Sequence, residues 1–273
     1  MRRFCIVLMC IVLAGCKNAG SPGDDAGAAD IVDDTITDTL GDVGDSDITD
    51  DCALQRAQLE AEIRTLLDGA QTDTEFTLMV SDQAHNSFIH STGSSTATTD
   101  YRSASTSKLV TAVVILNLVR QGILSLDDTP QTYIATWPTS GNLAQITLHE
   151  LLNFTSGLSE EPLCLNLPNA DFENCVENIS AANTDAIAPG AEFYYSGSHL
   201  QVAGLMAVKA AGVTSWTALF DQFTSETGLF SDGIYDLPSD TNPRLAGGMH
   251  WRGVDYLAFL GALYRSELLT VDL

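Results

Sequence analysis

Ser105 and Lys108 stand three residues apart at the start of a long apolar run, Arg102-Ser103-Ala104-Ser105-Thr106-Ser107-Lys108-Leu109-Val110. Three residues is close to one helical turn, so the two side chains project from the same face. A helix start concentrates unpaired backbone N–H groups at the positive end of the dipole, where an alkoxide on Ser105 would be stabilised. A neighbouring amine can take its proton. The chain has only the lysines Lys17, Lys108 and Lys209. The residues after Lys108 are apolar on nearly every face, as expected of a buried central helix. On these residues alone, the competing reading is a serine helix cap followed by a surface lysine.

Four further blocks weigh against that reading. Ile146-Thr147-Leu148-His149-Glu150-Leu151-Leu152-Asn153-Phe154-Thr155-Ser156-Gly157-Leu158 resembles the ITLRHLLTHTSGL signature of class C-type β-lactamases and related serine hydrolases. Pro189-Gly190-Ala191-Glu192-Phe193-Tyr194-Tyr195-Ser196-Gly197, continuing to Gly204, is similar to that family's PGxxFxYSN…LG block. Gly122-Ile123-Leu124-Ser125-Leu126-Asp127-Asp128 resembles its GxLSLDD turn, and Ala246-Gly247-Gly248-Met249 its AGGL/M segment. The blocks follow the family's order, and the resemblance covers about residues 52–273. It implies an α+β fold of the β-lactamase/DD-peptidase type: an antiparallel sheet flanked by helices, a separate all-helical lobe, and a site between them. It further implies Ser105 as nucleophile, with Lys108 and Tyr195 moving its proton.

The chain departs from the family in two places. Gly197 stands where the family's Tyr-x-Asn element has asparagine, which puts β-lactam turnover in doubt and favours an ester or peptide. No Lys-Thr-Gly or His-x-Gly triplet follows Tyr195. His250-Trp251-Arg252-Gly253 has one residue too many and reads as a helix lead-in. The expectation is therefore a C-terminally incomplete domain with a second oxyanion donor absent and a sheet edge unpaired.

Met1-Arg2-Arg3 is a basic start, and the apolar run from Phe4 to Leu13 is short for a bilayer span. Leu13-Ala14-Gly15-Cys16 looks like a bacterial lipobox. The expectation is a signal peptide over residues 1–15 and a lipidated Cys16 on the outer membrane of the cell envelope. An acidic, disordered tether then runs over 16–51, and the hydrolase-like domain over 52–273. Between Lys17 and Asp51 aspartates recur without a single aromatic, too little apolar surface to repay ordering. Asp45-Ser46-Asp47 lacks the glycine and terminal glutamate of an EF-hand loop, so calcium is the weaker reading there. A net charge of −24 argues against nucleic acid as a partner.

Cys164 and Cys175 lie between the Thr-Ser-Gly-Leu and Tyr195 blocks, and export permits the disulfide expected between them. Cys52 is left over, free or with a partner elsewhere. Ala53–Leu67, Val202–Ala211 and Tyr256–Tyr264 read as helices, and Glu75–Val80 with Ser87–His90 as a hairpin. His85 and His90 read as strand or turn residues, and Trp137, Trp216 and Trp251 as packing. The expected activity is acyl-enzyme hydrolysis of an amide or ester: a β-lactam, a D-Ala-D-Ala peptide or a small carboxylic ester. No metal or organic cofactor is implied. The expected partners are that small or peptidoglycan-derived substrate and, through the lipid, the membrane; a monomer is expected. The rival is a lipid-anchored envelope binding protein that keeps the fold without the chemistry.

Overall fold

The computed structural model describes residues 45–70, 72–82 and 87–269. Cys16, His85, the signal segment and most of the acidic stretch lie outside these residues. Helix α1 (Asp45–Asp68) starts well before Ala53 and takes in the last aspartates of the expected tether. The apolar spacing foretold the helix but not its surroundings: Leu54, Leu59 and Leu66 are exposed, while Ile63 and Leu67 are half-buried.

β1 (Thr77–Ser81) and β2 (Ser87–Ser91) form the expected antiparallel hairpin, with Thr77 opposite Ser91 and Ser81 opposite Ser87. Among the described residues β1 has no other strand neighbour. A second sheet orders β3 (Asp100–Arg102), β5 (Met249–Arg252) and β4 (Ile234–Tyr235), all antiparallel. This corrects the reading of His250-Trp251-Arg252 as a helix lead-in. Met249 and Trp251 are buried and alternate with half-buried His250 and Arg252, the period-2 pattern of a strand covered on one face. The helix begins only at Gly253.

Helices α2 (Ser107–Arg120), α3 (Leu148–Leu152), α4 (Phe172–Ala182) and α6 (Trp216–Thr227) pack against α5 (Ser198–Ala210), and α7 (Gly253–Tyr264) packs on β1. In α2 the buried set Val110, Val113, Val114, Ile115 and Leu118 follows helical spacing. Residues Ser198 to Val208 of α5 are all buried, so it forms the axis of the helical part. Gly204 permits this closeness, because a Cβ there would meet Leu245 Cδ1 at 2.0 Å. A capping box between Thr147 and Glu150 starts α3, which accounts for the Thr-Leu-His-Glu order in that block. Trp137, Trp216 and Trp251 are buried, as read from sequence. Among the described residues no helix is long and apolar enough to cross a membrane.

Candidate active site

The strand-to-helix passage from β3 to α2 carries Ser105. The Ser103 N–H and hydroxyl both donate to the Met249 carbonyl, at 2.8 and 2.7 Å, which pins the chain to β5 two residues before Ser105. Ala104 then takes φ +46°, a left-handed conformation costly for a residue with a Cβ. The 3-10 turn Ala104–Thr106 follows and presents Ser105 outward. Buried Ser107 donates to the Ala104 carbonyl at 2.8 Å. One turn further, buried Thr111 donates to the Leu245 carbonyl at 2.8 Å and lies 2.8 Å from the Tyr235 hydroxyl. The Thr111 bond to Leu245 ties α2 to the segment before Ala246.

That tie places a carbonyl beside Lys108. Its Nζ donates to the Ala246 oxygen at 2.7 Å and to Ser105 Oγ at 3.1 Å. The Tyr195 hydroxyl donates to Ser105 Oγ at 2.8 Å, and Lys108 Nζ sits 4.6 Å from the Tyr195 ring centroid. Ser105, Lys108 and Tyr195, ninety residues apart at the extreme, therefore share one hydrogen-bonded cluster. Partial burial pushes the Tyr195 phenol up. Hydrogen bonds to Ser105 and Lys108 and the charges of Lys108 and Arg244 outweigh it, holding the phenol below its ordinary 10. Such an arrangement can move the Ser105 proton and leave an alkoxide within reach of Lys108.

Tyr195 is positioned from behind. Phe154, at φ +64°, stacks on its ring with centroids 5.9 Å apart. Buried His199 bridges Ser156 Oγ and the Tyr194 carbonyl, each at 2.8 Å, and so joins the Thr-Ser-Gly-Leu loop to the Tyr195 loop. Burial drives its pKa down to about 4, against the raising effects of the Tyr194 carbonyl and the Glu161 charge. The imidazole is neutral at pH 7 and acts as a strut.

A model of the beta-lactamase family matches residues 76–260. The chain belongs to the beta-lactamase family. A candidate beta-lactamase from Bacteroides dorei is 29% identical over 66% of this chain, at a TM-score of 0.56. A penicillin-binding protein from Bacillus halodurans is 23% identical over 68% of each chain, at 0.56. A D-stereospecific amidohydrolase from Streptomyces is 21% identical over 69% of this chain and 67% of its own, at 0.54. The last two, at this identity, show the fold. The chain spans 54% of the Bacteroides dorei protein.

Within this family member, Cys164 and Cys175 form the expected disulfide, with Cα atoms 5.5 Å apart. It clamps the loop after Leu158 onto α4. Sequence reasoning missed four groups at the site: His199, the Ala246 carbonyl, Glu161 and Arg244. The Ala246 block is legible in the sequence, but backbone carbonyls have no signature of their own. Glu161 had no motif to reveal it. Its carboxylate Oε1 accepts the Gly197 N–H, and its Oε2 lies 3.7 Å from Arg244 Nη2.

Proposed function

We propose that this chain is a serine hydrolase acting through a Ser105 acyl-enzyme on an amide or ester. Membership of the beta-lactamase family supports hydrolase chemistry in general. The observation that carries the specific reading is the convergence of Tyr195 and Lys108 on Ser105 Oγ, at 2.8 and 3.1 Å. In this mechanism Ser105 attacks the carbonyl carbon as its proton passes to the deprotonated Tyr195 oxygen or to a neutral Lys108 amine. The same proton then goes to the leaving amine or alcohol, and water, deprotonated by the same pair, releases the acid. The three oxygen and nitrogen atoms already lie within proton-transfer reach, so no large rearrangement precedes acylation. The candidate substrates are a β-lactam, a D-Ala-D-Ala peptide and a small carboxylic ester.

Gly197, in place of the family's asparagine, is the observation that favours a second reading, an envelope binding protein that retains the fold. Labelling with a fluorescent fluorophosphonate and a fluorescent penicillin separates the two. Labelling abolished in Ser105→Ala supports the hydrolase, while a folded chain that takes neither probe defeats it. We also propose that Cys16 carries lipid and holds the chain at the cell envelope. Metabolic incorporation of palmitate, lost in Cys16→Ser, is the expected result.

A further inference from the structure

Gly197 is not glycine for the sake of its backbone. At φ −76° and ψ −19° it is in a conformation open to any L-residue. The constraint is space: a Cβ at this position would come within 2.9 Å of Glu161 Oε1. A carboxylate from the disulfide-clamped loop thus occupies the room in which a side chain at position 197 would stand. It does so two residues from Tyr195 and next to Ala246, whose carbonyl holds Lys108.

A carboxylate reverses what that place can recognise. An amide side chain offers both N–H donors and an acceptor, whereas an ionised carboxylate only accepts and carries negative charge. One Glu161 oxygen is spent on the Gly197 N–H. The other accepts no hydrogen bond from the described residues; its contact there is the 3.7 Å ion pair with Arg244. Arg244 is held elsewhere by a 3.0 Å hydrogen bond to Asn166. About a third of the Glu161 side chain remains exposed, which leaves the carboxylate room for a further donor.

We infer that Glu161 is a specificity-determining residue that selects substrates with a free, protonated amine beside the scissile carbonyl, namely unacylated amino-acid amides or esters. The inference rests on Ser105 being the nucleophile and assigns the substrate class of that same site. An α-ammonium donates to Oε2, while an N-acylated analogue brings a bulky group with no charge to the same place. A charge-assisted hydrogen bond at a partly exposed position corresponds to about tenfold in affinity or in kcat/KM.

The test uses the full chain and matched pairs, alaninamide against N-acetylalaninamide and alanine p-nitroanilide against its N-acetyl form, in both D and L series. In the Ser105→Ala variant, binding is followed by NMR line broadening without turnover. Tighter binding of the free-amine member, by about tenfold, and loss of that margin in Ser105→Ala/Glu161→Gln are the expected results. Equal binding of the pair, or a margin unchanged by Glu161→Gln, overturns the inference. With Ser105 intact, turnover should show the same preference in kcat/KM. Glu161→Gln should lower it for the free amine and leave the N-acetyl substrate within about twofold; an equal loss on both substrates would mark Glu161 as merely structural and overturn the inference. Absent turnover with a preserved binding margin would count against the hydrolase reading alone.

Discussion

The fit between Gly197 and Glu161 can be measured as a coupling energy. Replacing Gly197 with Asn puts a Cβ 2.9 Å from Glu161 Oε1, with Ala246 Cβ at 3.5 Å and Arg244 Nε at 3.8 Å. The last two are ordinary contacts, so the carboxylate is the group that must move. Moving it breaks the hydrogen bond from the Gly197 N–H. A hydrogen bond to a charged group contributes about 1.5–3 kcal/mol, and exposure of a third of the Glu161 side chain reduces this to about 1–2 kcal/mol. The backbone adds no strain, since φ −76° and ψ −19° are open to asparagine. Gly197→Asn alone should therefore lose about 1–2 kcal/mol, a fall of roughly 2–8 °C in Tm for a chain of this size. In a Glu161→Ala background the same change should be neutral or stabilising. Urea denaturation of the four proteins of the cycle gives the coupling directly. Additivity within about 0.5 kcal/mol would refute the argument that the carboxylate is what excludes a side chain at 197.

Three other outcomes are expected. Tyr195→Phe removes the 2.8 Å contact to Ser105 and should slow fluorophosphonate labelling by about 10²-fold. In the parent, labelling should rise with pH through a midpoint below the ordinary phenol value of 10, because the deprotonated form accepts the serine proton; the variant should lack that limb. Removing the disulfide as Cys164→Ala/Cys175→Ala should cost about 3 kcal/mol in the chain-entropy model, read by urea denaturation against the parent. His199 has a folded pKa near 4, below the ordinary 6.5 that it regains on unfolding. The unfolded chain therefore takes the proton first, and stability should fall as pH drops from about 6.5 to 4. His199→Gln should flatten that segment of the pH–stability curve relative to the parent.

What the sequence disclosed depended on whether the information was local. Ser105 and Lys108 could be paired because one helical turn separates them, and Tyr195 joined them only through the resemblance of its block. The hairpin was legible as two alternating runs around a polar turn. β3 and β4 span three and two residues, too short for any periodic signal, and β5 was misread because it runs directly into α7. Leu54, Leu59 and Leu66 gave the helix correctly, yet period alone cannot say whether a face finds a partner. Glu161 and Arg244 were illegible for a different reason. Their meaning arises from a glycine thirty-odd residues away from one and nearly fifty from the other, a relation that exists only in space.

The left-handed Ala104 beside Ser105 has an implication for protein engineering. Glycine would relieve the Cβ–carbonyl conflict at φ +46°, a conflict of about 1–2 kcal/mol that exceeds what glycine loses through greater freedom in the unfolded chain. A library ranked by melting temperature should consequently enrich Ala104→Gly. The same relaxed peptide would let the turn bearing Ser105 wander from Lys108 and Tyr195. Heat resistance and turnover would be selected in opposite directions at this single residue, so the position should be held fixed whenever stability is the property being improved.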